Sequence, residues 1–81
     1  MARVFLPQGL AERVGGQLEH EIPGRDVRSL LENLDARFPG LAAELEGRVA
    51  VAIDGEIYND PLLEPVEEHS EVHFLPRVGG G

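Results

Sequence analysis

Apolar positions along the chain switch between two periods. Residues 2–6 alternate, with Val4 and Leu6 on one side and Arg3 and Phe5 on the other, the repeat of a half-buried strand. Pro7, Gly9 and the Gly15-Gly16 pair then bracket a loop that returns the chain. Alternation resumes from Gln17 to Ile22, which turns Leu18, His20 and Ile22 inward. Pro23-Gly24 ends this second strand, and Asp26 stands where its carboxylate can accept the first free amides of a helix. Val27, Leu30, Leu31, Leu34 and Phe38 come next at helical spacing as a single apolar stripe. Pro39-Gly40 stops that helix, and a short helical piece over Leu41–Glu46, closed by Gly47, is expected next. Arg48 to Ile53 predicts a third strand with Val49, Val51 and Ile53 inward and the small Ala50 and Ala52 outward. Asp54-Gly55 is a hairpin signal leading into Glu56-Ile57-Tyr58. Asn59 to Ser70, rich in Pro, Glu and Asp, is expected to be mostly loop. The last strand runs from Glu71 to Leu75, with Val72 and Phe74 inward and His73 and Leu75 outward. Pro76 cannot donate to a ladder, so it is expected to release the tail from the sheet.

This order of strand, strand, helix, strand, short strand, strand predicts an α+β fold. One main helix covers one face of a mixed sheet. The arrangement expected is a β-grasp, with the first and last strands side by side and parallel. Residues 1–76 form the domain, and residues 77–81 form a tail of low side-chain content ending in Gly79, Gly80 and Gly81. Glycine loses the most backbone entropy on ordering, so the tail is expected to be a thin flexible arm that adds nothing to the core. The uncovered sheet face should carry Phe5 and Leu75 as neighbours beside Ala50 and Ala52, a candidate surface for a partner.

Composition narrows the function. With 81 residues, 42% of them apolar, the chain has room for one core and is too apolar to be disordered. No apolar run approaches the ~20 residues of a membrane span, and the first residues lack the pattern of a secretion signal. A cytoplasmic setting, with no membrane role, is the expectation. Cysteine is absent, which excludes disulfides, thiolate metal sites and cysteine nucleophiles. Fifteen acidic residues stand against seven arginines and no lysine, a formal charge of −8. Such a surface repels phosphate backbones, so no nucleic-acid binding is expected, and it suits a partner with a basic docking surface. Simple solubility accounts for the same charge. His69 and His73 lie four apart with His20 elsewhere, and no third ligand is evident, so no metal is expected. Glu64, Glu67, Glu68 and Glu71 lack apolar surroundings that would raise a carboxyl pKa for catalysis. Ser29 and Ser70 are the only serines and threonine is absent, so no nucleophile–base set emerges. The protein is not expected to be an enzyme.

The run from Glu71 through Phe74-Leu75-Pro76-Arg77-Val78 to the terminal glycines resembles the small ubiquitin-like sulfur-carrier proteins of the MoaD/ThiS family. Arg37-Phe38-Pro39-Gly40-Leu41 and Ala52-Ile53-Asp54-Gly55-Glu56 extend the resemblance over essentially the whole chain. It implies that an ATP-using activating enzyme adenylates the carboxyl group of Gly81 and that a persulfide donor replaces AMP with sulfur. The resulting thiocarboxylate would pass its sulfur to an acceptor synthase making molybdopterin, the thiamine thiazole, cysteine or a thiolated RNA base. No bound cofactor is implied, since ATP belongs to the enzyme. The free carrier is expected to be monomeric, and it could serve as the small subunit of a synthase. Phe5, Leu75, Pro76 and Val78 are the candidate partner-binding residues. Two departures stand out: Gly79 where relatives often have Ala or Thr, and Arg77 where many have an apolar residue. Two other readings stay open, a ubiquitin-like modifier joined through Gly81 to another protein and a β-grasp interaction module with an inert tail.

Overall fold

In the computed structural model, which describes residues 1–45 and 49–76, the elements come in a simple order. They are β1 (Ala2–Phe5), a 3-10 helix (Gln8–Val14), β2 (Glu19–Ile22), α1 (Val27–Arg37), α2 (Leu41–Leu45), β3 (Val49–Ile53), β4 (Glu56–Tyr58) and β5 (Glu71–Pro76). The strands form one five-stranded sheet of order β2-β1-β5-β3-β4. β1 and β5 are parallel at its centre, and the other neighbours are antiparallel. This is the β-grasp architecture that the pattern of elements predicts.

One face of the sheet carries the core. Ala2, Val4, Ile22, Val51, Val72 and Phe74 are buried beneath Val27, Leu30, Leu31 and Leu34 of α1, with Leu41 and Leu45 of α2 alongside. Each such leucine contributes about 1.5–3 kcal/mol through burial. The helical stripe and the parities of these strand residues therefore fall on the expected sides, whereas the inward direction expected of Val49 concerns a side chain outside the described ones. Asp26 caps α1 as anticipated and does so within a reciprocal pair. Its Oδ1 accepts from the Ser29 amide at 2.8 Å, while Ser29 Oγ accepts from the Asp26 amide at 3.2 Å. These bonds from Ser29, side chain before backbone, hold the Asp26 carboxyl below its ordinary value.

Several expectations need correction. The segment between β1 and β2 is not a bare loop but contains the 3-10 helix, which buries Val14 and packs Leu10 on the core. The strand expected to start at Gln17 starts at Glu19, because the Gln17 amide still bonds back to Val14 O at 3.3 Å. Ala50 shares the outward parity yet is buried. The loop 59–70 also does more than connect. Its Glu64 and Leu62 carbonyls accept from the Val27 and Arg28 amides at 3.1 and 2.9 Å, and Val66 enters the core. The expected end of the short helix at Glu46-Gly47, and Arg48 at the start of the third strand, lie outside the described residues.

Pro76 differs most instructively from expectation. It does not leave the sheet but stands in register opposite Val49. The Asp54 amide bonds to Glu71 O, so Asp54–Glu71 and every second pair after it are hydrogen-bonded. Val49–Pro76 is then a non-hydrogen-bonded pair, and β3 asks for no N–H from Pro76. The opposite flank is different. The Arg3 amide bonds to Ser70 O, and continuing that parallel alternation, the rungs beyond Phe5 would need donors from Pro7 and Pro76. Neither has one, so the β1–β5 ladder ends there.

Two of these features are open to direct test. A Cβ on Gly24, where φ is +155°, would lie 2.9 Å from Leu30 Cδ2 and 3.0 Å from its backbone nitrogen, whereas one on Gly9 meets nothing within 4 Å. Gly24→Ala is expected to cost about 1–3 kcal/mol in urea unfolding, and Gly9→Ala to be neutral or stabilising by up to about 1 kcal/mol. Asp26 has a lower pKa folded than unfolded, so its contribution is present above about pH 3.9 and is lost as pH falls through the folded value. The melting temperature of Asp26→Ala should therefore lie below that of the parent at neutral pH, with the gap narrowing in acid. A gap that stays constant across that range would contradict the cap.

Candidate functional site

The helices leave the second sheet face uncovered, and the register of four ladders fixes what stands on it. A single row crosses all five strands: Glu19 on β2, Phe5 on β1, His73 on β5, Ala52 on β3 and Ile57 on β4. The Phe5 and His73 rings stack with centroids 4.3 Å apart and planes 5° from parallel. Their cross-strand position makes this contact possible. One rung away, Arg3 lies between Glu21 and Glu71. Its Nη2 donates to Glu19 Oε2 at 2.9 Å, its Nη1 to Glu71 Oε2 at 3.5 Å, and its guanidinium carbon lies 5.6 Å from the Phe5 centroid. The pairs are about half exposed and screened by solvent, so they contribute little to stability and serve to orient Arg3 across the face.

Phe5 and Leu75 both lie on this face, as expected, but are not paired. Phe5 stands opposite His73, and Leu75 lies two residues further along β5, opposite Ala50. The parallel register decides this, and strand parity alone cannot supply it. Ile57, to which the sequence pattern assigns no face, is 65% exposed and forms the far end of the row. A signal for it exists. Asp54 and Gly55, with φ of 49° and 92°, make a two-residue turn that pairs Ile53 with Glu56 and hence Ala52 with Ile57.

The polar residues singled out from the sequence are dispersed. His20 faces inward as expected, with Nε2 2.6 Å from Gln17 O and its ring edge-on to Phe38 at 5.1 Å. It therefore lies on the sheet face opposite His73. Among the described residues, no group of three or more side chains that could hold a metal ion gathers. Ser29 is held in the helix cap, and Ser70 Oγ accepts from the Glu67 amide at 2.8 Å. Glu68 pairs with the Met1 ammonium at 2.8 Å, and that contact lowers its carboxyl pKa. The Glu71 amide, donating to Asp54 Oδ1 at 2.9 Å, holds the Asp54 carboxyl below its ordinary value and ties the hairpin to the start of β5.

Gly79, Gly80 and Gly81, with Arg77 and Val78 before them, lie outside the described residues. The structure places their point of departure. Pro76 closes β5, the strand that runs through the middle of the sheet and carries His73 and Leu75 on the open face.

A family model described as ThiS family matches residues 4–81. Among solved structures, a chain of the BexX/CysO complex of Amycolatopsis orientalis is 25% identical with a TM-score of 0.85, and the match covers 100% of both chains. CysO of Mycobacterium tuberculosis, described as an antigen, is 20% identical with a TM-score of 0.87, over 96% of this chain and 100% of that one. The small archaeal modifier protein 1 of Methanosarcina acetivorans is 24% identical with a TM-score of 0.80, over 99% and 95%. No curated protein matches in sequence. The fold is thus shared with ubiquitin-like proteins of the carrier or modifier kind. With the match running from β1 to the final glycine, the chain belongs to the ThiS family.

Proposed function

We propose that the protein is a sulfur carrier whose reacting group is the carboxyl of Gly81. The observation that carries this reading is the extent of the family match, which continues past β5 through the glycine run to residue 81. A carboxylate is a poor electrophile. An activating enzyme joins it to the α-phosphate of ATP, releasing pyrophosphate, and the acyl adenylate then has AMP as leaving group. A persulfide sulfur attacks the carbonyl carbon and expels AMP. A thiol then cleaves the sulfur–sulfur bond, taking the donor sulfur into a disulfide and leaving a thiocarboxylate on Gly81. An acceptor synthase consumes that sulfur in cofactor or metabolite biosynthesis. Gly79 and Gly80 present no side chain to obstruct two successive active sites.

The carrier itself binds no cofactor in this scheme, since ATP is held by the activating enzyme. It works as a monomer in the cytoplasm between encounters. Phe5 and Leu75 on the open face, with Pro76 and Val78 along the exit, form the docking region. The acidic surface favours encounter with a basic enzyme face and makes it salt-sensitive.

The tail is tested first. Removing Gly80 and Gly81 should abolish pyrophosphate exchange by the activating enzyme and leave the melting temperature unchanged. In protein from its own host, intact mass should exceed the calculated value by the difference between sulfur and oxygen. Isopeptide-linked tail peptides would point instead to a modifier, and an unaltered mass with no exchange would leave an interaction module with an inert tail. The face is tested by Leu75→Asp, expected to lower kcat/KM for adenylation by about tenfold or more, the weight of a central apolar contact. Unchanged kinetics would remove Leu75 from the docking region.

A further inference from the structure

Among the described residues no strand lies beyond β2, so its outer side is an edge of the sheet. The β1–β2 ladder fixes what that edge offers. The Leu6 amide bonds to Leu18 O at 2.8 Å, which makes Leu6–Leu18 a hydrogen-bonded pair. Antiparallel pairs alternate, so Val4–His20 and Ala2–Ile22 are hydrogen-bonded, whereas Phe5–Glu19 and Arg3–Glu21 are not. The N–H and C=O groups of Glu19 and Glu21 therefore point away from β1. Gln17 Nε2 already donates to Glu19 O from that outer side, at 3.1 Å. The Glu19 and Glu21 amides and the Glu21 carbonyl are left facing outward as a partner's ladder would need them.

Charge decides what can pair here. Both glutamates are exposed, and Glu21 has no ion pair among the described residues. In antiparallel pairing, the stronger of the two directions, a hydrogen-bonded pair joins residues whose N–H and C=O both face the new strand. On a second copy of β2 those are again Glu19 and Glu21, so glutamate would stand directly opposite glutamate. Like charges so placed are destabilising, and the edge is closed to self-pairing by its own side chains. A strand with lysine or arginine at two positions, one residue apart, meets the opposite field. The formal charge of −8 on the whole chain adds to that attraction. The residue between the two cations would face inward, opposite His20, which is 7% exposed. A groove of about 830 Å³ borders this edge, lined by Leu18, His20 and Arg37 as well as by the two glutamates.

We propose that the outer edge of β2 is a docking site for an extended basic segment of a partner protein, added to the sheet as an antiparallel sixth strand. Backbone bonds to Glu19 and Glu21 supply the attachment. Two lysines or arginines opposite their carboxylates, with one apolar residue between them in the groove beside His20, supply the selectivity. The site uses the edge of the sheet, away from Leu75 and the end of β5. A segment bound there leaves the C-terminal exit clear. This docking goes beyond the carrier reading and holds whichever chemistry Gly81 undergoes.

The test titrates the full chain, labelled for amide NMR, with the capped peptide Ser-Lys-Val-Arg-Val-Lys-Ser. The expected result is a shift of the Glu19 and Glu21 amide signals together with slower hydrogen exchange at both. Methylating the backbone nitrogens of the three basic residues keeps the charge and removes the donors. That peptide is expected to bind about tenfold more weakly, the weight of one hydrogen bond. Glu21→Lys is expected to weaken the unmethylated peptide by about tenfold and to melt with the parent, since Glu21 holds no ion pair that folding would lose. Added salt should weaken binding in the parent and less so in Glu21→Lys. Equal affinity for the methylated and unmethylated peptides would reduce the contact to charge alone and overturn the strand. Shifts that spare Glu19 and Glu21, or no binding at millimolar peptide, overturn the site outright. None of these readouts involves Gly81, so failure here leaves the carrier reading standing.

Discussion

The parallel pairing of β1 with β5 is the constraint on which the rest of the molecule depends. Two parallel neighbours cannot be joined by a tight turn, so everything between Phe5 and Glu71 becomes a crossover that has to be accommodated on the sheet. Antiparallel β2 and β3–β4 occupy the flanks, and α1 occupies one face. The central strands put Val4, Val72 and Phe74 at the deepest points of the core, and Leu30 and Leu34 of α1 close over them with no solvent exposure. The same pairing sets Arg3 against Glu71 and Phe5 against His73 on the other side of the sheet. Core and open face are therefore two readings of one register, and a slip of one residue would exchange them.

Connections outside regular strands hold this arrangement in place. The loop 59–70 supplies carbonyls to the first turn of α1, which would otherwise have amides without partners, and adds Val66 to the core. Asp35 Oδ1 accepts from the Gly40 and Ala42 amides at 3.0 and 3.1 Å, fixing the start of α2 against α1. Arg13 on the 3-10 helix reaches Glu44 on α2 at 2.8 Å. Short polar residues thus do at the joints what leucines do in the middle.

How much of this is legible in the sequence depends on how local each determinant is. The stripe from Val27 to Phe38, the Asp26 cap and the Asp54-Gly55 turn are set by residues within a few positions of one another, and each is readable. So is the inward direction of His20, which strand parity dictates. Less is readable where a second strand decides. That Phe5 meets His73 and not Leu75, and that Pro76 stays in register, depend on which hydrogen bonds β3 and β1 ask for. Val66 escapes a sequence reading because a single valine among Pro and Glu carries no period. The 3-10 helix escapes it because three-residue turns leave a weak apolar pattern. For the site, the face and its half-exposed Phe5 and Leu75 are legible, whereas Ile57 needs the hairpin register to be carried one step further.

The central position of β5 also has a mechanical meaning. A partner that draws the C-terminal end into its own interior pulls along the strand axis, not across it. Rungs to β1 on one flank and β3 on the other are then loaded together in shear, whereas a strand tugged sideways from a sheet edge peels open bond by bond. Because Pro7 and Pro76 end the β1 side at a fixed rung, the load is passed to β3 first at Leu75, where Ala50 receives it. A pull on the C-terminal end is thereby met by the strand with a neighbour on each flank and not by an edge of the sheet.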